Sequence, residues 1–239
     1  MILSAHQSHY LPYLGYLDKI DRSDLFVVLD DVQYEKNGWQ NRNRIRTAKG
    51  CQWLTVPVHV VYPERILDVQ IDHHRSWQQD HWKSLELNYR KAPFFEAHAP
   101  FFQELFKKSW EFLVDLNETS LHYLVQNAGI SGKKIVRSSS LSIQLERTER
   151  LVALCQHFGA DTYLSGEGAR AYLDPELFRR QGITLLFQDF SHPVYRQVTG
   201  KGEAFIEGLS FIDLLLNEGP KSLEILRRGR QKETTSRSG

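Results

Sequence analysis

Two short, unbroken apolar runs near the start of the chain constrain its fold most. Ile2–Ala5 ends at His6-Gln7, and Leu25–Leu29 (LFVVL) ends at Asp30-Asp31. Neither run alternates with polar residues. Each therefore predicts a strand covered on both faces, as in a parallel sheet flanked by helices. Tyr16–Asp21, between them, predicts a short crossover helix. Ligands of open parallel sheets bind beyond the carboxyl ends of the strands. The polar clusters that follow the two strands are thus expected on one sheet edge.

Further along, Cys51–Val58 and Ile66–Ile71 read as strands. Helical spacing of Leu113, Leu116, Leu121, Leu124, Val125 and Ala128, with Gly129 as the stop, predicts a helical insertion at about residues 75–130. This region is rich in aromatics, among them Trp77, Trp82, Phe95, Phe102, Phe106 and Trp110. They suit packing between helices, or a platform facing sugar or lipid. Strand and helix then alternate. Lys134–Arg137, Thr162–Leu164 and Ile183–Phe187 read as strands. Leu145–Phe158, Glu167–Leu173, Pro175–Gln181, Leu209–Leu216 and Ser222–Arg228 read as helices. The expectation is one α/β, Rossmann-like domain over residues 1–228, with a mostly parallel sheet and a helical insertion. Residues 229–239 lack apolar anchors and are expected to form a flexible tail.

A net charge of +1 over 239 residues favours neither DNA nor an acidic partner. No run approaches the roughly 18–20 apolar residues of a membrane helix, so no membrane insertion is expected. The start, MILSAHQSHY, lacks the basic and apolar regions of a signal peptide. Two cysteines make no disulfide framework, and a cytoplasmic location fits.

Four polar clusters can carry chemistry. The first runs from His6 and Gln7 through Tyr10, Pro12 and Tyr13 to Gly15 and Tyr16. Gly15 at a helix start allows close approach of a ligand or backbone; the plainer reading is a turn with tyrosines plugging the sheet edge. His6-x-x-His9 lacks a third ligand by spacing, so no metal is assigned. The second cluster runs from Asp30 and Asp31 through Gln33, Tyr34 and Lys36 to Asn41, Arg42 and Asn43. Adjacent carboxylates can hold a cation or divide acid and base roles. Lys36 and Arg42 suit phosphate or carboxylate, while a solvated loop with Asx turns explains the Asp and Asn residues equally. The third, Asp161–Arg170, places Ser165-Gly166 between strand and helix, as a phosphate nest or a tight turn. The fourth, Gln188–Tyr195, brings His192 to the same rim or forms an ordinary loop. Cys155 shares an apolar helix face with Leu151 and Phe158 and reads as inert core.

With these residues set out, the chain resembles the WbqC-like family of bacterial surface-polysaccharide gene clusters. The resemblance rests on His6-Gln7, Tyr10-x-Pro12-Tyr13-x-Gly15-Tyr16, Asp30-Asp31-Val32-Gln33-Tyr34-x-Lys36 and Asn41-Arg42-Asn43-x-Ile45. It continues through Trp53–Pro57, Gly159–Gly166 and Ser210–Leu215. One departure is Ser8, where family members usually carry proline. The resemblance implies a role in building O-antigen or related glycans, with glycine transfer suggested for such proteins. The opening strand, loop and Gly15-Tyr16 are also similar to the nucleotide-binding fold of pantothenate-synthetase-type ligases. The histidines of that fold's His-x-Gly-His element correspond here to Tyr13 and Tyr16.

The expected function is an enzyme that attaches a small acyl or aminoacyl group, such as glycine, to an amino sugar in surface-polysaccharide biosynthesis. The donor, ATP-derived or otherwise activated, is left open, as is the oligomeric state. The alternative is a non-catalytic protein that binds a nucleotide-sugar or another biosynthetic intermediate. His6, Asp31 and Lys36 are expected at the chemistry. Gln7, Tyr10, Gly15, Tyr16, Asp30, Gln33, Tyr34, Asn41, Arg42, Asn43, Ser165 and Gly166 are expected around the small-molecule or glycan-precursor substrate.

Overall fold

The computed structural model describes residues 1–198, 204–230 and the backbone of 234–235. Its centre is a parallel sheet of β1 (Ile2–Gln7), β2 (Leu25–Leu29), β7 (Lys134–Arg137), β8 (Thr162–Gly166) and β9 (Thr184–Gln188). The strands lie side by side as β9-β8-β1-β2-β7. β1 therefore pairs with its successor β2 on one side and with the distant β8 on the other. Strand order reverses there, and in doubly wound folds that reversal opens a crevice at the strands' carboxyl ends. The backbone of β10 (Thr234–Thr235) pairs antiparallel with β9.

The LFVVL run behaves as its composition demands. Phe26 and Val28 enter one core, and Leu25 and Val27 enter the core on the opposite face. The first core is packed by α1 (Leu14–Arg22), by the insertion helices α2 (Trp77–Tyr89), α3 (Phe95–Lys107) and α4 (Leu113–Asn127), and by α7 (Phe211–Glu218) and α8 (Ser222–Arg228). The second lies under α5 (Arg147–Phe158) and α6 (Pro175–Arg180). Trp77, Phe95, Phe102, Phe106 and Trp110 are buried in the first core, so the insertion's aromatics serve mainly as packing. Buried Cys155 lies in the second core.

Two expected strands are broken differently. The 51–58 stretch divides into β4 (Gly50–Thr55), paired with β3 (Arg42–Thr47), and β5 (Val58–His59). Pro57, between them, has no N–H to donate to a ladder. Ile66–Ile71 forms a 3₁₀ turn at Ile66–Asp68 and only a short β6 (Gln70–Ile71), paired with β5. The Ile66 and Leu67 N–H groups bond the carbonyls of Val32 and Asp30, and so leave the sheet pattern. Glu167–Leu173 holds a 3₁₀ turn at Glu167–Ala169 rather than a full helix. Most residues of the expected C-terminal tail lie outside the described ones. Of those within, Arg230 places Nε 2.6 Å from Asp18 Oδ1 on α1.

Candidate functional site

A cavity of about 820 Å³ opens where the strand order reverses. This lies within the range of small-molecule sites. His6 and Gln7 at the end of β1, Ser165 and Gly166 at the end of β8, and Gly15 at the start of α1 all line it. Gly15 has a local reason: a Cβ there would stand 2.6 Å from Cε2 of Tyr13, whose ring also lines the cleft.

Lys19 supplies the floor. It is buried, and Nζ donates to the Ala5 carbonyl at 3.0 Å. Among the described residues no carboxylate lies within ion-pair distance of it. Burial pushes its pKa down to about 7. His6 is half-buried beside it, 4.5 Å from the His9 ring and 4.9 Å from the Tyr16 ring between centroids. Burial first, then the nearby Lys19 charge, hold His6 well below its ordinary value. The same causes, in the same order, lower His9 to about 3. Both imidazoles are thus neutral at pH 7. Gln7 is gripped at both ends of its amide: Oε1 accepts from Gln40 at 2.9 Å, and Nε2 donates to Glu35 at 3.3 Å. The Tyr16 hydroxyl donates to the Gln7 carbonyl at 3.2 Å.

Arg147 and Arg150, from the first turn of α5, line the cleft as well. Arg150 bonds the Asp31 carboxylate, which also accepts from Ser138 Oγ. Burial alone would raise the Asp31 pKa, but the bonds from Arg150 and Ser138 outweigh it and hold it below the usual range. Asp30 is buried and accepts from Ser139 N at 2.9 Å and Ser139 Oγ at 2.7 Å, anchoring the turn after β7.

The second polar cluster divides. Tyr34, Lys36, Asn41 and Arg42 line a separate cavity of about 660 Å³, together with Trp53, Arg75, Trp77 and His81. The Arg42 guanidinium lies 4.6 Å from the Trp53 ring centroid. Trp39, which faces the first cleft, packs on Trp53, which faces the second, at 5.3 Å between centroids. The two cavities therefore share a wall. Asn41 also donates to the Val56 carbonyl at 2.8 Å. Asn43 lines neither cavity; it is buried and donates to the Leu11 carbonyl at 2.7 Å. Tyr10 is buried as well, 2.8 Å from His81 Nδ1. Exposed Gln33 bridges to Arg65.

Residue types alone did not single out Lys19, Arg147 or Arg150. For Lys19 a signal existed: three residues after Tyr16, it shares that helix face.

Among the described residues no helix is long and apolar enough to cross a membrane. The chain is 36% identical over 229 residues to the uncharacterized protein Rv1507c of Mycobacterium tuberculosis, an alignment covering 94% of this chain and 97% of that one. No solved structure matches it significantly. The model of the WbqC-like protein family matches residues 7–225, and with that span and that relative the chain belongs to the WbqC-like protein family.

Proposed function

We propose that the chain is a transferase that joins a small acyl or aminoacyl group, glycine among the candidates, to the amine of an amino sugar in surface-polysaccharide biosynthesis. The observation that carries this reading is the buried Lys19 amine beside half-buried His6, on the floor of the cleft where strand order reverses. Amide formation has three needs. The amine must lose a proton, the acyl oxygen must be stabilised as it gains charge, and the donor must be held. His6, kept neutral, accepts a hydrogen bond from the amine and orients it. Lys19, whose pKa lies near 7, takes the amine proton, and the ammonium so formed in the low-dielectric floor stabilises the acyl oxygen more strongly than it would in water. Arg147 and the Arg150 guanidinium suit a donor carrying phosphate or carboxylate. The amine nitrogen bonds the acyl carbon, the donor's leaving oxygen or sulfur departs with the bonding pair, and the proton held by Lys19 passes to it. The amino sugar would lie in the first cleft with its amine beside His6, and Lys36, Arg42 and Asn41 in the second cavity would hold an anionic extension of it that runs over the exposed Trp39 and Trp53.

A second reading is a non-catalytic binder of a nucleotide-sugar. It draws support from Asp31, which is held by Arg150, and from Lys36, which lies in the other cavity. One experiment separates the two. Melting temperature is measured against nucleotides, nucleotide-sugars and activated acyl donors, since a ligand of the folded state raises apparent stability. Each stabilising pair is then incubated with the chain, and products are read by mass spectrometry. An amide product that disappears in His6→Ala supports the transferase. Stabilisation by a nucleotide-sugar, with no product from any donor, supports the binder.

A further inference from the structure

The short hairpin of β5 and β6 carries a cluster that neither cavity uses. His59 ends β5, Asp72 directly follows β6, and His74 lies two residues on. One ligand atom from each of these three residues lies within 4.8 Å of the other two. His59 Nε2 is 3.4 Å from an Asp72 carboxylate oxygen, and the rings of His59 and His74 are 6.2 Å apart between centroids.

We propose that His59, Asp72 and His74 bind a divalent transition-metal ion of the zinc class. Around a tetrahedral ion with bonds of about 2.0–2.1 Å, ligand atoms stand roughly 3.3–3.4 Å apart. The His59–Asp72 pair already has that spacing. Both histidines are exposed, so small ring rotations close the remaining gap without disturbing packing. The carboxylate is held in place, because Asp72 Oδ1 accepts from the His74 backbone N–H at 2.9 Å. Two imidazoles and one carboxylate favour zinc, cobalt or nickel over magnesium or calcium, which take oxygen donors. A His59–Asp72 ion pair alone would leave the position of His74 unused.

The site has a structural consequence. Val58 and Val60, on either side of His59, line the second cavity, and so do Arg75 and Trp77, just beyond His74. An ion on the outer face of the hairpin would tie these two parts of that cavity's wall together.

The test uses the full, tag-free chain, titrated calorimetrically with zinc chloride. Cobalt absorption reports the ligand geometry. One equivalent should bind, zinc should raise the melting temperature, and cobalt should show a tetrahedral or five-coordinate spectrum. His59→Ala, His74→Ala and Asp72→Asn should each weaken binding by more than about tenfold. Zinc should also protect His59 and His74 of the wild-type chain from diethyl pyrocarbonate, a readout that needs no variant. Stoichiometric binding unchanged in both histidine variants would place the ion elsewhere and overturn the proposal, as would absence of saturable zinc binding.

Discussion

The Lys19 ammonium on α1 donates to the carbonyl of Ala5 on β1 at 3.0 Å, which ties the first helix to the strand beside the cleft. That bond does not replace the water lost on burial, and the pKa falls to about 7. The folded state therefore releases this proton near pH 7, whereas the unfolded chain holds it to about pH 10.4. Between those values the unfolded state binds more protons, so this group makes stability rise with pH. Lys19→Met should raise the melting temperature at pH 7, because it relieves a desolvation cost of about 2–5 kcal/mol. It should also flatten the rise from pH 7 to 10 and weaken ligand binding. Calorimetric melts across pH check the first two effects, and a melting temperature at pH 7 below wild type would contradict the assignment.

Arg42 stacks its guanidinium over Trp53 at the second cavity. Lysine keeps the charge but loses the planar fork. Arg42→Lys should thus weaken binding of an anionic ligand nearly as much as Arg42→Ala, by about 1–3 kcal/mol. Stability should fall by only about 0.5–1 kcal/mol, the scale of an exposed cation–π contact. Calorimetric affinities with parallel melts decide it. Wild-type affinity in both variants would remove Arg42 from the anion-holding role.

Asp31 and Arg150 form a pair in which both side chains are largely buried. Asp31→Asn leaves the guanidinium without its counter-charge and should cost about 2 kcal/mol, less than a fully buried pair because Asp31 retains some solvent access. The folded pKa of Asp31 is depressed, so its stabilisation is full above the unfolded value near 3.9 and fades as pH falls through the folded value. Wild type should lose stability in that acid range more steeply than Asp31→Asn, as denaturant melts at several pH values would show.

Cys155 is buried and its thiol is pushed up to about 12 by burial, while Cys51 is exposed. Native protein should react with a thiol reagent at Cys51 alone, and denatured protein at both. Cys155→Ala should lower stability by about 1 kcal/mol and leave ligand binding unchanged. Rapid native labelling of Cys155 would show that this part of the core opens.

Much of the fold was legible in local composition. LFVVL predicted a strand with an apolar layer on each face, and Phe26 and Leu25 do enter opposite cores. Gly159 ends α5 with φ +67°, left-handed backbone that glycine adopts without strain. His6-Gln7 and Ser165-Gly166 were readable as strand ends, and a parallel sheet brings such ends to one edge. Which strands adjoin was not readable, because the β1–β8 pairing joins residues some 160 apart. Only that pairing creates the cleft.

Tertiary structure also sorted the 30–44 segment. Asp30 anchors the turn after β7, Asn43 satisfies the Leu11 carbonyl, and Arg42 turns to a second cavity. One polar string thus serves three places, since each residue's partner comes from a different distant element. Lys19 carries the same lesson. Between Asp18 and Asp21 it reads as part of a charged helix face, yet α1 is buried between the sheet and α8, and Lys19 is buried with it. Sequence determines which side chains can do chemistry. Long-range packing decides which of them lose their water, and desolvation is what moves the pKa of Lys19 and His6.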